Sequence, residues 1–115
     1  MALKHYDIKV RVYNEVPAFG KGVVMLLDLI DEYGSLSKAY REMGMAASKG
    51  WKILHRAEAD LGVKLVESVS GGKNGGNSQL TKEGKEYVYK YHMLMDEINK
   101  VAKDAFDKYF GDEDE

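Results

Sequence analysis

Hydrophobic and polar positions along the first third of the chain follow two different periods. Ile8, Val10 and Val12 alternate with polar residues, which is typical of a half-buried strand. From Lys21 onward the apolar residues recur at helical spacing, and Gly34 is suited to the left-handed conformation that often ends a helix. The pattern therefore predicts one strand followed by a first helix.

Two shorter amphipathic segments follow, separated by a very short turn. Ser35 can cap a helix that directs Ala39 and Met43 inward, and Gly44 ends it. The next helix begins shortly after Gly44 and ends at Gly62. Its apolar face carries Ala47, Trp51, Leu54 and Leu61, and its polar face carries Ser48, Lys49, Lys52 and Arg56. Two helices joined by so short a turn make a helix-turn-helix.

A hairpin and one long helix are predicted for the rest of the chain. The stretches "VKLVESVS" and "SQL" are strand-like, and the glycine-rich segment between them contains Asn74-Gly75, a favoured hairpin tip. Thr81 is suited to cap a last helix over residues 82–110, where apolar residues recur at steps of four and three. The predicted fold class is mainly α with a small β-hairpin (α+β): a winged helix-turn-helix with a long C-terminal dimerisation helix.

Composition supports a single folded domain over residues 1–110, followed by an acidic tail at 111–115. The chain has 115 residues, 44% of them hydrophobic, and one proline. The absence of cysteine excludes disulfides and thiolate metal sites. Neither a signal peptide nor an apolar run long enough to span a bilayer is visible, so we expect a cytoplasmic protein.

Charge is unevenly distributed along the chain. The formal net charge is -2, which by itself argues against a nucleic-acid partner. However, Asp112 to Glu115 are all acidic, and residues 35–85 contain nine Lys and Arg against five Asp and Glu. Local charge governs contact with a polyanion, so the helix-turn-helix region remains compatible with DNA, although an ordinary solvated surface would have the same composition.

The glycine-rich segment "SGGKNGGNSQL" does not fit the phosphate loops of nucleotide-binding enzymes. A Walker A loop needs Gly-Lys-Ser/Thr at the entrance to a helix, and a dinucleotide fingerprint must also lead directly into a helix. This segment leads into Gln79-Leu80 instead. Two interpretations remain, a surface hairpin without a ligand and a wing, which is the hairpin that follows a helix-turn-helix. Its position favours the wing, with Lys73 and Asn74 as DNA contacts.

These residues resemble a known family. The stretches "LLDLIDEYGSLSKAYREMGMAASKGWKIL" and "GVKLVESVSGGKNGGNSQLTKEG" look like the DNA-binding domain of the molybdate-responsive ModE regulators, which is similar to the LysR-type winged helix-turn-helix. The resemblance implies a homodimer that places a recognition helix in the major groove and controls molybdate-transport or molybdenum-enzyme genes. Family members often carry C-terminal molybdate-binding domains. Because this chain stops after the long helix, molybdate or another oxyanion is not expected on it.

One departure from the family concerns the start of the recognition helix. The family commonly has a serine followed by an aromatic residue there, whereas this sequence has Ala46-Ala47. A capping hydroxyl and a possible phosphate contact are therefore lost.

Candidate DNA contacts follow from the helix-turn-helix interpretation. Ser48 lies near the start of the recognition helix, where base edges are usually read, and Arg56 lies farther along, where phosphate is nearer. Trp51 is predicted in the core rather than as a stacking platform for a base. Lys38 and Arg41 are ordinary helix-surface charges that are candidates for contact with the DNA backbone, and Lys38 is included among the predicted contacts. The full set of predicted contacts is Ser35, Ser37, Lys38, Ser48, Lys49, Lys52, Arg56, Lys73 and Asn74.

No catalytic arrangement is visible, so the chain is not predicted to be an enzyme, and no cofactor or metal is expected. His5, His55 and His92 lack a metal-ligand spacing. The apolar stripe of the last helix either folds back on its own domain or, as we prefer, pairs with a second copy. The predicted function is a dimeric DNA-binding transcriptional regulator. The alternatives are a protein-interaction adaptor and, more remotely, a small oxyanion-binding protein.

Overall fold

The computed structural model describes residues 4–69 and 77–111. Within these residues, four helices and one two-stranded antiparallel sheet follow one another, and from the first helix onward their order is the predicted one. The elements are α1 (Lys21–Tyr33), α2 (Leu36–Glu42), α3 (Ala47–Leu61), β1 (Val66–Ser68), β2 (Ser78–Leu80) and α4 (Lys82–Phe110). The predicted α+β class, a winged helix-turn-helix that ends in a long helix, is confirmed, because helical periodicity and the glycines at the helix ends were sufficient to locate the main elements.

The predicted N-terminal strand is wrong. The segment before α1 is extended, but its pairing within the described residues is one isolated bridge, in which the Val12 amide donates to the Phe19 carbonyl at 2.8 Å. Val10 and Val12 pack against the core, and the Tyr91 hydroxyl donates to the Val10 carbonyl at 2.9 Å. The alternation of apolar residues therefore reflects packing on helices rather than membership of a sheet.

Helix α1 lies at the centre of the core. Leu26, Leu27 and Ile30 are fully buried, and α1 contacts α2, α3, α4 and β2. Phe19, just before α1, packs edge-on against the rings of Tyr87 and Tyr91 on α4. Burial of this apolar surface is the main term that stabilises the domain. It also holds α2, α3 and the hairpin in fixed positions around one helix.

A glycine determines how closely α2 and α3 approach. Gly50 is buried, and a Cβ built on it would lie less than 3.0 Å from three atoms of the Tyr40 ring. The turn itself depends on Gly44, whose φ of 68° is a conformation that other residues rarely adopt. Burial, and secondarily the nearby Glu58 carboxylate, raise the pKa of Tyr40. The geometry of the helix-turn-helix thus depends on the tight turn at Gly44 and on the close packing of the Tyr40 ring against the backbone of Gly50.

The hairpin is joined to both the start of α4 and the end of α1. Val66 pairs with Leu80 in the sheet, and the Ser78 amide donates to the Gly34 carbonyl at 2.9 Å. Thr81 caps α4 by accepting from the Gly84 amide at 2.8 Å. Its hydroxyl also donates to the Lys64 carbonyl at 2.6 Å. The root of the hairpin is therefore fixed relative to the helix-turn-helix.

Helix α4 has 29 residues and extends well beyond the body of the domain. Its buried residues, Gly84, Val88 and Tyr91, all lie in its first third. Farther along, the Phe106 ring contacts the Tyr6 ring at a centroid distance of 4.6 Å. The molecule is accordingly elongated, with extents of 62 × 30 × 21 Å. Among the described helices, none combines the length and apolar character that crossing a membrane requires.

Candidate nucleic-acid interface

The polar face of α3 is exposed, as the sequence predicts. Ser48, Lys49, Lys52 and Arg56 are all exposed. The opposite side buries Gly50, Leu54, Ala57 and Glu58. No acidic residue occurs in α3 before Glu58, which faces inward. The first three turns of α3 therefore present hydroxyl and cationic groups to solvent.

The ends of α3 follow from local sequence. Ala46 is the N-cap residue and makes no side-chain hydrogen bond to the helix, as the alanine pair implies. Gly62 ends the helix in the left-handed conformation, with φ of 74°, and its amide donates to the Glu58 carbonyl at 2.8 Å. The helix begins without a capping side chain, so its first amides remain available to solvent or to a ligand.

The predicted burial of Trp51 is wrong. Its side chain is 55% exposed, and Ala47 is exposed too. Consecutive residues on a helix point about 100° apart, and the inward direction is taken by Gly50 beside the Tyr40 ring. Trp51 is therefore rotated out of the core to the edge of the exposed face. It stacks on the His55 ring at a centroid distance of 4.0 Å and an interplanar angle of 23°.

A buried carboxylate links α3 to the hairpin below this aromatic pair. Glu58 accepts from the Leu65 amide at 2.7 Å and from the Val66 amide at 3.4 Å. Its other oxygen lies 3.8 Å from His55 Nε2. A cleft of about 220 Å³ separates the recognition helix from the root of the hairpin. Its lining includes Trp51, His55, Lys64, Glu67, Ser68 and Ser78.

Arg56 belongs to a cationic cluster that sequence reasoning did not find. Together with Lys9, Arg11 and Lys21, it lines a depression of about 310 Å³. Among the residues that the structure describes, none of those lining this depression is acidic. The four cations come from three separate parts of the chain, so spacing along the sequence gives no signal of their proximity.

Asp60 attaches the N-terminal segment to the end of α3. Its carboxylate accepts from the amides of Asn14, Glu15 and Val16 at 2.8, 2.8 and 2.6 Å. Although partial burial acts in the opposite direction, these three donors lower the pKa of Asp60. In return, the Asn14 side-chain amide donates to the Asp60 carbonyl at 2.9 Å. This attachment also holds the chain that carries Lys9 and Arg11 close to α3.

The other predicted contacts lie at the start of α2 and in the wing. Ser35 caps α2, since its hydroxyl accepts from the Lys38 amide at 3.2 Å, and it lies 3.1 Å from the Ser37 hydroxyl. Ser37 and Lys38 are exposed. A bridge between Ser35 and Asn77 brings the start of α2 beside the root of the hairpin. The predicted wing contacts Lys73 and Asn74 lie outside the described residues.

The geometry defines a winged helix-turn-helix, in which α3, with its exposed cationic face, lies beside the hairpin. The chain belongs to the family of bacterial regulatory helix-turn-helix proteins of the LysR type, which its residues 24–85 match. The matched residues include most of α1, the helix-turn-helix, the hairpin and the start of α4.

Curated relatives agree with the resemblance to ModE. The chain is 27% identical over 85 residues to the molybdenum-pterin-binding protein MopA of Rhodobacter capsulatus, covering 74% of this chain and 32% of that protein. It is 36% identical over 70 residues to the molybdenum transport protein ModE of Herbaspirillum seropedicae, covering 61% and 26%. It is 29% identical over 84 residues to the DNA-binding transcriptional dual regulator ModE of Escherichia coli K12, covering 73% and 30%. The chain thus spans between 26% and 32% of the length of these relatives.

Solved structures share the fold. The DNA-binding domain of CbnR in its DNA complex superimposes with a TM-score of 0.58 at 17% identity, covering 73% of this chain and 91% of that one. The CbnR regulator itself gives a TM-score of 0.57 at 17% identity, covering 75% of this chain and 28% of that one. At this identity the similarity establishes the fold alone.

Proposed function

We propose that this protein regulates transcription by binding duplex DNA as a homodimer, with α3 of each copy in the major groove. The observation that carries the proposal is the exposed face of α3, where Ser48, Lys49 and Lys52 lie near the helix start and no acidic residue precedes Glu58. Residues at the start of a recognition helix reach base edges, and lysines nearby also contact phosphates. A regulator of this kind acts where the chromosome is, so we place it in the cytoplasm.

Phosphate contacts extend the proposed interface on both sides of α3. Arg56 and its cationic neighbours Lys9, Arg11 and Lys21 form a surface that complements the charge of the DNA backbone. On the other side, Ser35, Ser37 and Lys38 lie at the N-terminus of α2, beside the root of the wing. We assign Lys73 and Asn74 of the wing to the backbone or minor groove nearby.

The proposed dimer forms through α4. Within this helix no residue after Tyr91 is buried. Leu94 is 40% exposed and Val101 is 70% exposed, and both belong to the apolar stripe that a second copy of α4 would cover. Apolar residues left uncovered along a helix are typical of a partner surface. A two-fold pair would place two recognition helices about one turn of DNA apart, or a multiple of it, on a palindromic site.

The first experiment measures DNA binding. Duplexes are selected from a random pool with the wild-type protein, and binding is then titrated at rising salt. We expect tight, salt-sensitive binding, because each neutralised phosphate contributes about 0.9 to the slope of log affinity against log salt. Lys49→Ala with Lys52→Ala should weaken binding and flatten the slope, whereas Lys100→Ala, on an exposed side of α4, should leave both unchanged. Failure of the wild type to bind any duplex refutes the proposal.

The second experiment measures the dimer. Sedimentation equilibrium should give twice the chain mass for the wild type. Val101→Glu should shift the equilibrium towards monomer, because it places a charge in the proposed apolar contact. Lys100→Glu introduces the same side chain one residue away and about 100° around the helix, so it should leave the dimer intact. A wild-type monomer, or equal effects of the two variants, contradicts pairing through this stripe.

A further inference from the structure

The aromatic pair of Trp51 and His55 on α3 points to a further DNA-reading residue. We propose that Trp51 packs against the 5-methyl group of a thymine in the major groove and thereby contributes to operator choice. The inference rests on the proposed function. It begins from the fact that Trp51, on the recognition helix, is 55% exposed, so that more than half of its surface is left uncovered by the rest of the protein.

Trp51 is held in position before any ligand arrives. Its ring stacks on His55, and His55 is fixed in turn by a hydrogen bond of 2.9 Å between its Nδ1 and the Trp51 carbonyl. Glu58 lies on the other side of His55 and is tied to the amide of Leu65 in the stretch leading into β1. A side chain that is already ordered loses little conformational entropy on binding. This arrangement suits a contact surface better than a freely rotating ring does.

The surroundings of Trp51 identify DNA as its partner. Trp51 is the fifth residue of α3, and Ser48 and His55, three and four residues away, lie on the same side of the helix. Lys52 follows it directly and is exposed. The other wall of the adjoining cleft is the root of the hairpin, including Lys64. An apolar ring between a cationic helix face and a wing lies where a winged domain meets the groove wall.

The chemistry of the groove selects the thymine methyl. Base edges in the major groove present hydrogen-bond donors and acceptors, and the thymine 5-methyl is their apolar group. The broad face of an indole fits such a group, whereas it can offer hydrogen bonding only through its single N–H. Loss of one buried methyl group should weaken binding about fourfold. This contact would distinguish one base from another, whereas the charge of Lys52 attracts the phosphates of any DNA sequence.

Fluorescence tests whether Trp51 meets DNA at all. The chain contains one tryptophan, so its emission reports on this position alone. A selected duplex, whose binding is followed independently by the anisotropy of a dye on the DNA, should change the intensity or the wavelength of the emission in step with binding. Binding seen by anisotropy with unchanged tryptophan emission overturns the inference while leaving the proposed function intact. Absence of binding by anisotropy refutes the proposed function itself.

Methyl scanning tests what Trp51 reads. Each thymine of the selected duplex is replaced in turn by deoxyuridine, which lacks the 5-methyl group. The wild type should lose about fourfold in affinity at one thymine per half-site, and Trp51→Ala should show no loss there. Lys52→Ala is the matched control, because it should bind more weakly overall yet keep the methyl dependence. A methyl dependence that persists in Trp51→Ala, or one that is absent from the wild type, overturns the inference.

A folding control accompanies both tests. Because the indole is more than half exposed, Trp51→Ala should retain a thermal midpoint close to that of the wild type. A large drop in the midpoint would show a structural role and would overturn the assignment of Trp51 to DNA.

Discussion

The contact between Gly50 and Tyr40 allows a quantitative test of the helix-turn-helix. In Gly50→Ala the added methyl group would overlap three atoms of the Tyr40 ring, which is only 6% exposed and cannot swing into solvent. Overpacking of this kind costs about 1–3 kcal/mol, and the three-atom overlap argues for the upper end. Alanine recovers about 1 kcal/mol over glycine in a helix. We therefore expect a net loss of about 2 kcal/mol in the free energy of unfolding.

A second glycine on a helix provides the control. Gly22 lies in the first turn of α1, and a Cβ built there meets nothing within 4 Å. Gly22→Ala should be neutral or slightly stabilising, by no more than about 1 kcal/mol. Both variants are unfolded in urea and by heat, followed by circular dichroism at one protein concentration, since association affects apparent stability. At about 4 °C for each kcal/mol, Gly50→Ala should melt about 8 °C below the wild type.

Two results would contradict a steric contact between residue 50 and the Tyr40 ring. If Gly50→Ala unfolds at the same urea concentration as Gly22→Ala, the Tyr40 ring does not restrict this position. If Gly22→Ala is the less stable of the two, the steric overlap at residue 50 does not outweigh the gain in helix propensity as we expect. A confirmed loss would also predict weaker DNA binding, because a shift of α3 away from α2 displaces its exposed face.

Two further predictions concern residues at the ends of helices. Thr81→Ala removes the cap on the Gly84 amide and the bond to the Lys64 carbonyl, so urea unfolding should show a loss of about 1–2 kcal/mol; Thr81→Ser keeps the hydroxyl and should lose much less, and equal losses would contradict the hydrogen-bond explanation. Because the folded-state pKa of Asp60 is lowered, its stabilising effect is complete above the unfolded pKa of about 3.9 and disappears as the pH falls through the folded value. Between pH 5 and pH 2 the wild type should therefore lose more stability than Asp60→Asn, with Asp96→Asn on exposed α4 as the control; parallel pH curves for all three proteins would contradict this role.

Local sequence signals were sufficient for most of the fold. Three glycines adopt the left-handed conformation: Gly34 at the end of α1, Gly44 in the turn after α2, and Gly62 at the end of α3. Ser35 caps α2 and Thr81 caps α4. Each of these residues acts on backbone groups within a few positions along the chain, so its effect can be predicted from the sequence. The order of elements and the exposed polar face of α3 could therefore be predicted without coordinates.

The errors have a common physical origin in contacts between distant parts of the chain. The orientation of Trp51 depends on Gly50 meeting a ring from another helix, and a glycine gives no hydrophobic signal of its own. The N-terminal segment has the alternating apolar pattern of a strand. Its backbone, however, hydrogen-bonds to the Phe19 carbonyl and to the Tyr91 hydroxyl and, among the described residues, not to a neighbouring strand. The cluster around Arg56 likewise forms only when the N-terminal segment is brought to α3.

Whether α3 meets the DNA is tested by mapping the backbone amide shifts of the labelled protein, by nuclear magnetic resonance, as a selected duplex is added. We expect the largest changes in the first three turns of α3, around Ser48, Lys49 and Lys52, with further changes at the start of α2 and the root of the hairpin. Large changes confined to α4, with α3 undisturbed while the DNA is bound, would contradict it.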